Sequence, residues 1–186
     1  MARARCGFTL SEVVTVVAVL AVLALILMPA GMFAGPRPAA RRAACMSNMK
    51  QLVLALRLYA DDWEGRYPPA GKWDRDAVRY AQSNLPRPRL WCPDVAANSV
   101  IDPARRPDVF GYGLNVSLAG ARAASVSDPT RTVALFETDL PQPAAGRAGA
   151  VADPARHRGG NVYAFSDGHV KWLPTVPAFR AAMGSR

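Results

Sequence analysis

The chain has 186 residues, a formal net charge of +9 and an apolar fraction of 51%, which suits one modest domain plus an N-terminal segment and leaves little room for two full domains. The positive excess is largely arginine, scattered through the N-terminus, the region after the apolar run and the loops. It forms no dense basic cluster with interleaved aromatics, which argues against a specific nucleic-acid surface and leaves weak attraction to anionic polymers or lipid head groups.

The apolar residues are unevenly placed. From Val13 to Gly35 the chain meets no charge. A run of this length reads as a transmembrane helix, because about 20 helical residues cross the hydrocarbon layer. A secretory signal peptide is the competing reading. It fits less well, since the run is long and the best cleavage candidate, Met32-Phe33-Ala34, has a bulky Met where a small residue is wanted. Glu12 sits at the start of the run. A carboxylate at that depth is costly unless paired and so marks function.

Arg3-Ala-Arg-Cys-Gly7 followed by Phe8-Thr-Leu-Ser-Glu12-Val resembles the N-terminal signal of type IV pilins and type II secretion pseudopilins. The resemblance implies that a prepilin peptidase cuts between Gly7 and Phe8 on the cytoplasmic side. The same enzyme then methylates the amine of Phe8. Glu12 becomes the fifth mature residue, whose carboxylate pairs with the N-terminal amine of a neighbouring subunit during assembly. Pro29 occupies a position where the family often kinks its helix. Arginines flank the run on both sides, so charge bias alone does not orient it; the family places the leader in the cytoplasm.

Pro29-Ala-Gly-Met-Phe-Ala-Gly-Pro-Arg-Pro38 should kink or break a helix, which departs from the straighter helix of many pilins. From Arg41 to Trp63 a helical pattern resumes. Met46, Met49, Leu52, Val53, Leu56, Tyr59, Ala60 and Trp63 form an apolar stripe, and Lys50, Gln51, Arg57 and Asp61 fill much of the opposite face. Asp61-Asp62, Gly65 and Tyr67-Pro-Pro end this helix.

Beyond Pro68 the chain is rich in proline. Strands are expected at Val109–Val116, Thr132–Glu137, Asn161–Phe165 and His169–Leu173, and an exposed loop at Ala144–Ala155. The last two strands flank Ser166-Asp167-Gly168, a strong hairpin signal. The expected fold is α+β and pilin-like: a long N-terminal helix, first transmembrane and then amphipathic, on a small antiparallel sheet. The expected divisions are leader 1–7, transmembrane helix 8–35, amphipathic helix 36–64 and β-rich head 65–186.

The string from Arg156-His157 through Asn161 to Asp167-Gly168-His169 resembles the C-terminal signature of a bacterial pilin-like group with an H-x9-D-G motif. Cys45-Met-Ser-Asn48, Cys92-Pro93 and Tyr112-Gly-Leu-Asn115 resemble further parts of that group. Asp167 and Gly168 have a sufficient structural role in the hairpin, and His157 is expected to bond that turn or cap a strand edge. A weaker reading groups His157, Asp167 and His169, with Glu137 or Asp139, around a metal. Catalysis finds a base but no matched nucleophile, elbow motif or phosphate-cradling loop, so the chain is read as a non-enzyme without a cofactor.

Cleavage after Gly7 would remove Cys6 and leave Cys45 and Cys92. Cys6 precedes the apolar run, so it does not fit a lipoprotein acceptor. Outside the cytoplasm the remaining thiols are candidates for a disulfide. It would close a loop of roughly 45 residues and contribute about 3–4 kcal/mol. Two separate buried thiols are the alternative. Zinc lacks a Cys-x-x-Cys pair to rest on.

Together these readings predict a structural subunit, a pseudopilin or minor pilin, in a type II secretion or type IV pilus-like filament. It would be held in the inner membrane with its head in the periplasm or on an extracellular fibre. Its partners would be prepilin peptidase, sister subunits and the assembly platform. The alternative is a membrane-tethered binding module whose head captures a ligand, cargo or DNA.

Overall fold

The computed structural model describes residues 9–27, 38–81, 90–98 and 109–180. Two compact units divide between Arg37 and Pro38. The expected kink from Pro29 lies mainly outside the described residues, as do Gly7 and Phe8.

The first unit contains helix α1, Leu10–Leu27. Among the described residues no helix is long and apolar enough to cross a membrane. The 18 residues of α1 measure about 27 Å, against roughly 30 Å of hydrocarbon. Its start is built by Thr9 and Glu12. Glu12 Oε2 accepts hydrogen bonds from Thr9 N at 2.8 Å and Thr9 Oγ1 at 2.7 Å. The Glu12 amide in turn lies 3.4 Å from Thr9 Oγ1. This is a capping box, in which residues three apart satisfy each other's orphan groups at a helix N-terminus.

The second unit is a helix laid on a sheet. Helix α2, Pro38–Asp62, opens on proline, which tolerates the first helical turn because its missing N–H would be unpaired there anyway. Helix α3 is Trp73–Tyr80, and the short α4 is Pro93–Asn98. Strands β1, Leu90–Trp91, and β2, Val109–Phe110, form a parallel pair. The main sheet runs β5-β3-β4-β6-β7. Its strands are β3 Tyr112–Asn115, β4 Val133–Glu137, β5 Ala145–Gly146, β6 Asn161–Phe165 and β7 Val170–Leu173. Four strands pair antiparallel and β5 joins β3 in parallel. The fold is therefore α+β as the sequence predicts, with a mixed sheet where an antiparallel one is expected.

Three differences have local causes. The strand expected across Val109–Val116 is split at Gly111, whose φ of +86° turns the chain out of the extended conformation. Ala144–Ala155 is not a plain exposed loop: it supplies β5 and a short 3₁₀ turn, and buries Ala144 and Ala152. Trp63 does not close the apolar stripe. It lies beyond α2, 57% exposed, and stacks on Tyr59.

Cys45, Met49, Leu52, Val53, Leu56, Tyr59 and Ala60 form the buried face of α2, with the three-four spacing of one helix side. Most of this face packs in a core with Tyr112, Leu114, Leu135, Val162 and Ala164 of the sheet. The opposite sheet face has its own core of Val133, Phe136, Tyr163 and Phe165, backed by Phe179. A register irregularity between Val133 and Leu135 places Ala134 and Leu135 together in the helix-facing core, as a bulge does. Both central strands, β4 and β6, are buried along their whole length. Leu56→Ala, at a fully buried site, should cost about 2–5 kcal/mol, read as a lowered denaturation midpoint of the detergent-solubilised chain.

Candidate functional site

Period two along β4 decides where its last residue goes. Leu135 belongs to the helix-facing core, so Glu137, two residues on, faces the same way. There it meets three residues from distant parts of the chain. Cys45 comes from α2, Cys92 lies between β1 and α4, and His157 precedes β6. The Cys45, Cys92, Glu137 and His157 ligand atoms all lie within 4.8 Å of one another, and all four residues are buried.

The contacts inside this knot are close. The two Sγ atoms are 2.8 Å apart, with both cysteines free. Cys92 Sγ lies 3.5 Å from Glu137 Oε1, and His157 Nε2 lies 2.8 Å from the same oxygen. The other carboxylate oxygen, Oε2, accepts from the Val162 amide at 2.8 Å. Behind the imidazole, Nδ1 lies 2.8 Å from Asp94 Oδ2, and Asp94 Oδ1 lies 2.6 Å from Arg41 Nε. Both approaches fall outside hydrogen-bond alignment and act as charge contacts. Burial pulls the His157 pKa down, but hydrogen bonds to Cys92 and Glu137 and their charges outweigh it and raise it to about 9. A hydrogen bond from Cys45 draws the Cys92 thiol down to about 6, against burial, while Cys45 is pushed up.

Arg156 ties the outer wall. Its guanidinium donates to Gly111 O at 2.8 Å and Thr138 O at 2.6 Å, and pairs with Asp139. Asn48 donates to Trp91 O at 2.8 Å and lies 3.4 Å from the Tyr112 hydroxyl; that hydroxyl hydrogen-bonds Cys45. Outside lies a hollow of about 470 Å³ lined by Arg41, Asp94, Asp139 and Arg156 among others.

The fragments Cys45–Asn48, Cys92-Pro93, Tyr112 and His157, far apart in sequence, thus converge on one buried centre. Asp167 and His169 do not join them. They sit in the turn after β6, whereas His157 precedes that strand. His157 therefore does not brace the hairpin turn. Its amide bonds Gly160 O at 2.9 Å, and its carbonyl accepts from Trp172 Nε1 at 3.0 Å, which ties it to the strand edge. The grouping of His157, Asp167 and His169 as one ligand set is not formed, because β6 separates them. Asp139 is engaged by Arg156 instead.

The turn has its own architecture. Gly168 N bonds Phe165 O at 2.8 Å, Phe165 N bonds His169 O at 2.9 Å, and Gly168 has φ +93°. This is a three-residue hairpin loop closed by a left-handed glycine. Asp167 Oδ1 accepts from His169 N at 3.0 Å and meets His169 Nδ1 at 2.6 Å. Lys50 Nζ donates to Gly168 O at 2.6 Å, and Arg57 donates to Asp167 O. These two α2 cations, assigned by periodicity to the solvent face, clamp the hairpin onto the helix.

Sequence reasoning missed Asp94 and the pairing role of Arg156. Glu137 left one readable signal: an acid ending the apolar strand Val-Ala-Leu-Phe-Glu.

Residues 2–28 match the prokaryotic N-terminal methylation motif. Residues 35–92 match a family described as "Protein of unknown function (DUF1559)". No curated protein and no solved structure matches the chain. The methylation motif, the DUF1559 match and a helix laid on an α+β sheet together support a likeness to type IV pilins and pseudopilins.

Proposed function

We propose that the protein is a pseudopilin or minor pilin, a structural and non-catalytic subunit of a type II secretion or type IV pilus-like filament. The methylation motif over 2–28 carries this reading, because it couples a peptidase site to an apolar helix that stays on the mature chain. Prepilin peptidase would cut between Gly7 and Phe8 and methylate Phe8. The helix would then hold the subunit in the inner membrane with its head in the periplasm, until the assembly platform and sister subunits take it into a fibre. Glu12 would pair with the amine of an adjacent subunit.

Intact mass spectrometry of the natively expressed chain tests the processing step. The expected product lacks Met1 to Gly7 and carries one methyl group on Phe8. Recovery of intact Met1, or of a start well downstream of Met28, would refute it.

A further inference from the structure

We propose that Cys45, Cys92, Glu137 and His157 form a structural Zn²⁺ site inside the head, with Asp94 positioning the imidazole. Four donors of three chemical kinds, brought from four separate segments, lie within 4.8 Å of one another and are buried. A disulfide would explain the two sulfurs. It would not explain why a fully buried carboxylate and an imidazole are turned onto them, since a disulfide packs as well against apolar walls.

Thiolate, imidazole and carboxylate are the ligands Zn²⁺ takes in closed tetrahedral sites, at about 2.0–2.3 Å from the metal. Ligand atoms around such an ion stand roughly 3.2–3.8 Å apart. The 3.5 Å between Cys92 Sγ and Glu137 Oε1 already fits. The 2.8 Å sulfur–sulfur and nitrogen–oxygen contacts need to open by less than about 1 Å.

The surroundings supply what a metal site requires beyond its ligands. Metal-bound histidine usually turns its other ring nitrogen onto a carboxylate, and His157 Nδ1 faces Asp94 at 2.8 Å while Nε2 faces the knot. Arg41 in turn holds Asp94. The second Glu137 oxygen is fixed by the Val162 amide, and the Tyr112 hydroxyl reaches Cys45. Two thiolates and one carboxylate around Zn²⁺ leave a single negative charge, with the Arg156 guanidinium close by at the outer wall. The hollow lined by Asp94 and Arg156 lies on the outer side of the carboxylate that faces the imidazole. Binding exchanges protons for metal: whatever protons the two sulfurs and the imidazole Nε2 still carry leave as Zn²⁺ enters, with no change of oxidation state.

The site spans α2, the β1–α4 corner, β4 and the segment before β6. It would crosslink the helix to the sheet, independently of whether the chain assembles into filaments.

The test is metal analysis of the full-length chain, purified in detergent from its native envelope without chelator, paired with a thiol assay and a non-reducing peptide map. About one zinc per chain with both thiols free is the expected result; a Cys45–Cys92 disulfide without zinc would overturn the proposal. The reduced, metal-free chain should take up Co²⁺ with the intense visible absorption of tetrahedral coordination and a thiolate-to-metal band, and lack of both overturns it. Asp94→Asn keeps all four ligands and avoids the risk of misfolding that Cys92→Ser carries. It should weaken Zn²⁺ affinity about 10- to 100-fold, and unchanged affinity would count against the assignment.

Discussion

Glu12→Ala is expected to leave the chain inserted and cleaved yet absent from filaments, with incorporation down at least about tenfold, the cost of only about 1.4 kcal/mol in subunit association. Pulldown of sheared fibres against membrane-fraction levels reads it. In the isolated chain one oxygen of Glu12 is already used, since Oε2 closes the capping box with Thr9. The carboxylate is therefore held at the helix start in a fixed orientation while it still carries its charge. Two further variants separate the cap from the charge. Thr9→Ala removes the hydroxyl cap, worth about 1 kcal/mol, and should still assemble. Glu12→Gln keeps an acceptor for the Thr9 amide but has no charge to offer an incoming amine, and should fail as the alanine variant does. Normal incorporation of Glu12→Gln would show that Glu12 serves the helix and not the interface.

In the reduced, metal-free chain His157→Ala should be among the most damaging single changes in the head, at about 3–5 kcal/mol. Its side chain is 1% exposed and sits between Glu137, which is fully buried, and Asp94. Removing the imidazole leaves the Glu137 carboxylate buried with no cationic partner within ion-pair distance among the described residues. The outcome should be a fall in Tm of roughly 10 °C or more, or an unfolded head, because domains of this size have only about 5–15 kcal/mol to lose. Adding Glu137→Gln to His157→Ala should recover part of the loss, since the amide still accepts from Val162 and the orphaned charge is gone. Additive losses in the double variant would mean that His157 acts through its packing alone.

Much of this molecule follows from local pattern. The charge-free run after Glu12, the three-four stripe of α2 and the Asp167-Gly168 hairpin all follow from short-range rules of period and turn chemistry. Asn161–Phe165 is a strand with the ends the sequence predicts. Where short-range signals compete, the reading slips by a residue or an element. Gly111 splits one strand into two, Trp63 falls off the end of the stripe, and a Gly- and Ala-rich stretch becomes an edge strand, because pairing to β3 outweighs its weak intrinsic preference.

The amino-acid order alone determined the N-terminal processing signal, the apolar helix behind it and the α+β plan of the head, because each depends on residues within a few positions of one another. The tertiary structure alone decided that Cys45, Cys92, Asp94, Glu137 and His157 meet, and that Asp167 and His169 lie beyond the far end of β6. No spacing rule encodes that meeting. It depends on how α2 crosses the sheet and on the bulge in β4 that turns Glu137 inward, and both are set by long-range packing.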